Sequence, residues 1–115
     1  MSLRNQWSAQ ERRARSRLAQ LLHDQEIVHG SVVTMARQCG KARCRCRHGE
    51  KHESLYLSVV LEGQRRMVYI PPELEREVRQ RVAAYREVET LTETVSASCV
   101  GRVLARKAQR KQAKP

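Results

Sequence analysis

A cluster of metal-ligand residue types lies in the middle of the chain. Cys39, Cys44 and Cys46 fall within eight residues, and His52 follows at a reach that can close a four-ligand site. Structural zinc prefers thiolate sulfur and imidazole nitrogen, four of them in a tetrahedral arrangement. The spacing therefore predicts a structural zinc site formed by Cys39, Cys44, Cys46 and His52, with His48 as the competing histidine ligand.

Cations alternate with cysteines in the same segment. In an extended chain successive side chains point to opposite faces, so Cys44 and Cys46 would face the metal while Arg45 between them faces away. Nearby cations also lower the pKa of a thiol and favour the thiolate that binds zinc. The segment is predicted to present its cations to a polyanion; they are Lys41, Arg43, Arg45, Arg47 and Lys51.

Two other interpretations of the cysteines stay open. Cys39 and Cys44 could form a disulfide in an oxidising compartment, or the cysteines could be free. The first residues lack an apolar segment of signal-peptide length, and no apolar run approaches the roughly 20 residues that span a bilayer. We therefore expect a cytoplasmic protein with reduced thiols and no membrane partner.

The charge of the chain indicates a polyanionic partner. Lys and Arg number 23 against 12 Asp and Glu, a net charge of +11. Nucleic acid is the commonest partner of so basic a chain, and we expect DNA rather than RNA, with a merely solvated basic surface as the alternative. Outside the cysteine segment, the candidate phosphate contacts are Arg65, Arg66, Arg106, Lys107, Arg110 and Lys111.

The first half of the chain predicts a helix and a small sheet. Ser8 and Glu11 form a capping-box pair before apolar residues at helical spacing, so we expect a helix over about residues 8–28, with Trp7 packed on its first turn. Residues 31–37 favour a strand. Residues 55–61 and 66–70 favour two more, joined by a glycine-containing turn. Together they predict a three-stranded antiparallel sheet.

A long helix is predicted after Pro71 and Pro72. Apolar residues recur at helical spacing from Leu74 to Val103, farther than one small domain can cover. Part of this stripe should therefore meet the first helix or a second subunit, as in a coiled-coil homodimer. Cys99 lies on the stripe and is interpreted as a small buried hydrophobe, and Gly101 is a candidate helix end.

These elements predict an α+β fold: an N-terminal helix, a three-stranded antiparallel sheet with a zinc-binding loop, and a long C-terminal helix. Residues 1–100 would form a single zinc-stabilised domain. Residues 101–115 would form a basic tail that is disordered, or helical only on a polyanion.

The pattern Cys-Gly-Lys-x-x-Cys-x-Cys-x-x-Gly-x-x-His over residues 39–52, followed by a hairpin and Tyr-Ile-Pro-Pro-Glu, resembles a family of small uncharacterised prokaryotic proteins. The resemblance covers about residues 30–90. It implies that Cys39, Cys44, Cys46 and His52 act as a set. Members are often encoded near transposases and recombinases, which implies a role in mobile-DNA biology. Ala42 stands where the family usually has proline.

Two functions follow as hypotheses. The first is a zinc-stabilised nucleic-acid-binding accessory protein that works with a transposase or recombinase. Six phosphate contacts would give a log–log salt slope of about −5 on duplex DNA. The second is a protein adaptor that dimerises or docks through its long helix. An enzyme is not expected, because a four-ligand zinc site leaves no open position for a reacting water and no nucleophile or phosphate-loop motif occurs.

Overall fold

The computed structural model describes residues 6–37 and 52–113, which form two compact units. Residues 1–26 and 86–115 make up the first unit, and residues 27–85 make up the second. The predicted zinc ligands Cys39, Cys44 and Cys46, and the cations between them, lie outside the described residues. The predicted α+β arrangement of one helix, a three-stranded antiparallel sheet and a long helix is confirmed.

The second unit contains the whole sheet. Strands β1 (Gly30–Arg37), β2 (His52–Leu61) and β3 (Gln64–Ile70) pair in sequence order, each antiparallel to its neighbour. Glu62 and Gly63 connect β2 to β3 with φ of 52° and 79°, the backbone that a two-residue hairpin turn requires. The turn is shorter than the predicted segment 62–65, so β3 begins at Gln64 rather than residue 66.

The buried residues of the sheet lie on one of its two faces. Val59 and Ile70 lie on this face, since Ile70 lies opposite Leu55 and side chains alternate along β2. Val82 and Ala84 of the following helix are also buried in this unit. Gly30 permits the close pairing, because a Cβ there would lie 2.7 Å from Val59 Cγ1 and 2.8 Å from the Ser58 carbonyl oxygen.

The segment that leads into β1 is fixed to the helix of the same unit. The Val28 N–H donates to the carbonyl oxygen of Arg81 at 3.0 Å. The His29 ring stacks on the Tyr85 ring with 4.4 Å between centroids and 10° between planes. His29 therefore packs against the helix of its own unit.

Helix α1 (Ala9–Asp24) begins where its capping residue predicts. Ser8 Oγ accepts a hydrogen bond from the Glu11 N–H at 3.1 Å, which satisfies one of the unpaired donors of the first turn. The helix ends before the predicted residue 28, because Gln25 has extended backbone with φ −128° and ψ 148°. Ala14 and Leu21 are its buried apolar residues.

Helix α2 (Glu75–Ala113) follows a single 3-10 turn over Pro72–Leu74 and takes part in both units. The expectation that Gly101 ends this helix is wrong, since the helix continues without interruption to Ala113. Glycine in a helix interior costs only about 1 kcal/mol relative to alanine, so the neighbouring turns can outweigh it. Residues 101–113 are therefore an extension of α2.

Candidate nucleic-acid interface

The buried carboxylate of Glu11 pairs with one cation of the basic C-terminal segment, Arg102. Glu11 is 0% exposed and lies in the first unit between two arginines. Arg102 donates from Nη1 to Oε1 at 2.6 Å and from Nη2 to Oε2 at 3.1 Å. Arg15 donates from Nε to Oε2 at 2.8 Å. A buried carboxylate requires hydrogen-bond donors of this kind, so the Arg102 side chain has a structural role.

The ion pair shifts the pKa values of Glu11 and Arg102, each in the direction that favours the ionised form. The hydrogen bonds from Arg102, and then those from Arg15, hold the pKa of Glu11 below its ordinary value although burial opposes this. The Glu11 carboxylate in turn raises the pKa of the Arg102 guanidinium. Both groups are therefore charged at neutral pH.

Cys99 lies beside this ion pair. Its Sγ accepts a hydrogen bond from Arg102 Nη2 at 3.2 Å and a longer one from Arg15 Nη2 at 3.7 Å. The side chain is only partly buried, and its neighbours are guanidinium groups. The interpretation of Cys99 as a buried hydrophobe is therefore wrong. Among the side chains of residues 6–37 and 52–113 that the structure describes, Cys99 belongs to no group of three or more His, Cys, Asp or Glu that could hold a metal ion.

Two further contacts connect α1 with its surroundings in the first unit. Arg15 lies over the Trp7 ring with 3.8 Å from its Cζ to the ring centroid, which is a cation–π contact. Arg17 donates to Glu87 of α2 at 2.9 Å from Nε and 3.3 Å from Nη2. The Arg17–Glu87 pair shows that α2 contacts α1 of the same chain, which is one of the two predicted partners of the long helix.

The last turns of α2 carry a cluster of exposed positive charges. Arg106, Lys107, Arg110 and Lys111 are all exposed, and together with Val103 they line one open groove. Their spacing of one and four residues places them within two successive helical turns. The last acidic residue of the sequence is Glu93, so no carboxylate follows to neutralise them locally. This helix end is the predicted contact region that the structure assembles; we call it the basic helix end.

The two hairpin arginines do not share a surface. Arg65 lies opposite Val60 and donates from Nη1 to Ser58 Oγ at 2.8 Å. Arg66 lies opposite Val59, on the other face of the sheet. Because adjacent residues of a strand point to opposite faces, Arg65 and Arg66 cannot contact one phosphate backbone together from the sheet surface.

The sheet face that carries Arg65 also carries two tyrosines. Tyr56 and Tyr69 are directly paired across β2 and β3, with ring centroids 5.8 Å apart in an edge-to-face arrangement. Tyr69 is 52% exposed. Their alternation along the strands could have indicated that they share a face.

The Glu11–Arg102 pair carried no such signal in the sequence, because its partners are 91 residues apart.

The structure defines the ends of the cysteine segment but not the zinc site. Arg37, the last residue of β1, pairs with His52, the first residue of β2. Residues 38–51 between them lie outside the described part of the chain, and so does the side chain of His52. The zinc ligand set and the contacts from Lys41, Arg43, Arg45, Arg47 and Lys51 therefore stay predictions.

A small α+β domain with a basic helical extension is the class that these features define. The chain belongs to the family described as Domain of unknown function (DUF6788), whose model matches residues 5–80, well over half of the 115 residues. The match includes α1, the three strands and the cysteine segment, and it ends within α2. Comparisons with curated proteins and with solved structures gave no match. None of the helices in the described ranges is long and apolar enough to cross a membrane.

Proposed function

We propose that the protein is a zinc-stabilised DNA-binding accessory protein that acts with a transposase or recombinase. The observation that carries the DNA-binding proposal is the basic helix end, where Arg106, Lys107, Arg110 and Lys111 are exposed on successive turns. Arg102, by contrast, is committed to Glu11. The proposal therefore assigns different roles to cations that look equivalent in the sequence.

Backbone contact is the mode of recognition that this surface supports. Lysine and arginine side chains that neutralise phosphates release counterions from the duplex, so binding is driven by charge and weakens as salt increases. Such contacts position a protein on DNA without reading its sequence. A transposase or recombinase partner would supply site selection, in line with the role in mobile-DNA biology that the resemblance implies.

Zinc is proposed for the segment that connects β1 to β2. Arg37 pairs with His52, so the two residues that flank the segment 38–51 lie side by side. A loop already closed at its base has less entropy to lose when a metal orders it. Cys39, Cys44, Cys46 and His52 are the proposed ligands. The ion would supply structural stability, and the loop's cations would provide phosphate contacts of their own.

The DNA-binding role is tested by removing charge from the basic helix end. An Arg106→Gln/Arg110→Gln variant is compared with Arg12→Gln/Arg13→Gln, which removes the same charge from exposed positions of α1. Fluorescence anisotropy with labelled duplex DNA measures affinity at one fixed salt concentration. We expect at least about a tenfold weaker affinity for the first variant, in line with two lost phosphate contacts, and a smaller effect for the second. Equal losses would mean that only bulk charge matters.

The zinc assignment is tested by the metal content of purified protein. Cys39→Ser and His52→Ala each remove one proposed ligand, and Cys99→Ser is the matched control because Cys99 lies beside Arg102 in the other unit. We expect one zinc ion per chain in the wild type and in Cys99→Ser, and strongly reduced zinc in the two ligand variants. Stoichiometric zinc in both ligand variants would reject the ligand set.

A further inference from the structure

One face of α2 is exposed along its entire length in the first unit. Its residues recur at alternating spacings of four and three, which keeps them on one side of a helix. The opposite side of α2 meets α1 through Glu87, Cys99 and Arg102. We call the exposed side the outer face; it consists of Arg86, Thr90, Glu93, Ala97, Val100, Leu104, Lys107 and Lys111, all of them exposed.

The outer face changes in chemistry along the helix. Its N-terminal half begins with Arg86, and Glu93, with Glu89 at the edge of the face, makes the part next to the centre acidic. Val100 and Leu104 at its centre are 52% and 59% exposed. Lys107 and Lys111 make its C-terminal half basic. Such an order of acid, apolar and basic residues is complementary to itself when the direction of the helix is reversed.

We propose that the outer face binds the same face of a second copy of this chain, with the two α2 helices antiparallel. A two-fold axis level with residue 102 would place Val100 against Leu104 of the second copy, and the reverse. Lys107 would then lie across Ala97 of the other copy, where its alkyl stem can cover the small side chain. Glu93 would lie level with the second copy's Lys111, at both ends of the interface.

Charge complementarity indicates both that a second copy binds the outer face and that the two α2 helices are antiparallel. A parallel pair would place Glu93 against Glu93 and Lys107 against Lys107, and like charges in contact oppose association. An antiparallel pair replaces these contacts with two Glu93–Lys111 pairs while the apolar centre stays in register. The hydrophobic centre provides the affinity, and the flanking charges select the orientation.

The polar side chains near the outer face can be covered without losing hydrogen bonds. Thr90 Oγ1 donates to the Arg86 carbonyl oxygen at 3.1 Å, and Thr94 Oγ1 donates to the Thr90 carbonyl oxygen at 3.2 Å. Their hydroxyl hydrogens already have partners within the helix. A second helix can therefore approach them without leaving an unsatisfied buried donor.

The interface would use Lys107 and Lys111 of the basic helix end and leave its two arginines for contact with DNA. By helical periodicity, Arg106 and Arg110 lie away from the outer face, on the flank nearer Cys99. They would remain accessible in the dimer. The interface also differs from the apolar stripe predicted from the sequence, because Cys99 of that stripe faces Arg15 of α1. Self-association is measured without nucleic acid, so it can fail independently of DNA binding.

The test uses two charge-reversal variants, separately and mixed. Glu93→Lys and Lys111→Glu change exposed residues, so both variants should fold. Analytical ultracentrifugation at physiological ionic strength measures the dimer dissociation constant of each. We expect each variant alone to dissociate on the order of tenfold more readily than wild type, because two attractive pairs become repulsive. An equimolar mixture should recover near wild-type association, since each heterodimer restores both pairs.

Arg12→Glu is the control, as it reverses an exposed charge on α1 and should leave the dissociation constant unchanged. The proposal is overturned by a monomeric wild-type protein at high micromolar concentration. It is also overturned if the two reversals leave association unchanged, or if the mixture associates no better than the separate variants. The last result would exclude an antiparallel second copy as the occupant of the outer face.

Discussion

Arg102 binds the buried carboxylate of Glu11 through two hydrogen bonds, of 2.6 Å and 3.1 Å, across 91 residues of sequence. The pair joins the start of α1 to the C-terminal part of α2 within the first unit. It explains why α2 passes through Gly101 without ending, because the turn that contains Gly101 is held by its neighbour. The pair also gives Arg102 a structural role that the exposed cations further along α2 do not share.

Loss of the Arg102 guanidinium should destabilise the first unit. Arg102→Gln leaves Glu11 buried with Arg15 as its remaining partner, and removing one member of a buried pair is strongly unfavourable. We expect the melting temperature to fall by roughly 5 °C or more. Arg106→Gln is the matched control, since Arg106 is exposed four residues further along the same helix. Equal melting temperatures for the two variants would contradict a structural role for Arg102.

The Glu11 pair should also make stability depend on acid pH. Because the pKa of Glu11 is lowered in the folded protein, the unfolded chain takes up the proton first as pH falls. The contribution of Glu11 is therefore complete above about pH 4.5, the ordinary pKa of its carboxyl group, and is lost as pH falls further towards the folded value. Denaturant unfolding between pH 7 and pH 3 checks this. In Glu11→Gln the acid-dependent loss should be smaller, and an unchanged pH profile would contradict it.

Two glycines should respond in opposite ways to alanine. A Cβ at Gly101 meets no atom within 4 Å, so Gly101→Ala should stabilise α2 by about 0.5–1 kcal/mol. A Cβ at Gly30 would lie 2.8 Å from the Ser58 carbonyl oxygen, so Gly30→Ala should shift β1 from β2 and destabilise the protein. Denaturant midpoints measure both. A stabilising Gly30→Ala would show that the β1–β2 pairing is looser than described.

Adjacent leucines of α1 provide a test of its packing. Leu21 is 1% exposed and Leu22 is 55% exposed. Leu21→Ala should lower the free energy of unfolding by about 2–5 kcal/mol, because it removes buried methyl groups and leaves a cavity. Leu22→Ala should change it by less than about 0.5 kcal/mol. Urea unfolding of the two variants measures the difference, and similar losses would mean that α1 buries a different face.

Local signals were sufficient for much of the fold. Ser8 predicts the start of α1, Gly63 predicts the hairpin, and Pro72 predicts the opening of α2, because each acts on backbone within a few residues. Contacts between distant segments could not be predicted. Nothing near Arg102 indicates that Glu11 will neutralise it, so the sequence pattern alone could not separate Arg102 from Arg106.

The same difference between local signals and distant contacts applies to the candidate sites. That the basic helix end would present its cations on adjacent turns could have been predicted from spacing, once α2 is known to reach Ala113. The outer face could not, because its position depends on which side of α2 meets α1. The zinc ligands were proposed from spacing alone and stay a prediction, since Cys39, Cys44 and Cys46 lie outside the described residues.

The salt dependence of DNA binding by the basic helix end tests the proposed function most directly. The logarithm of the duplex association constant is plotted against the logarithm of salt concentration for wild type, Arg106→Gln/Arg110→Gln and Arg12→Gln/Arg13→Gln. We predict that the slope of the first variant is flatter than wild type by about 2, one unit for each lost phosphate contact, and that the second matches wild type. Identical slopes for all three proteins, or binding that does not change with salt, would contradict the proposal.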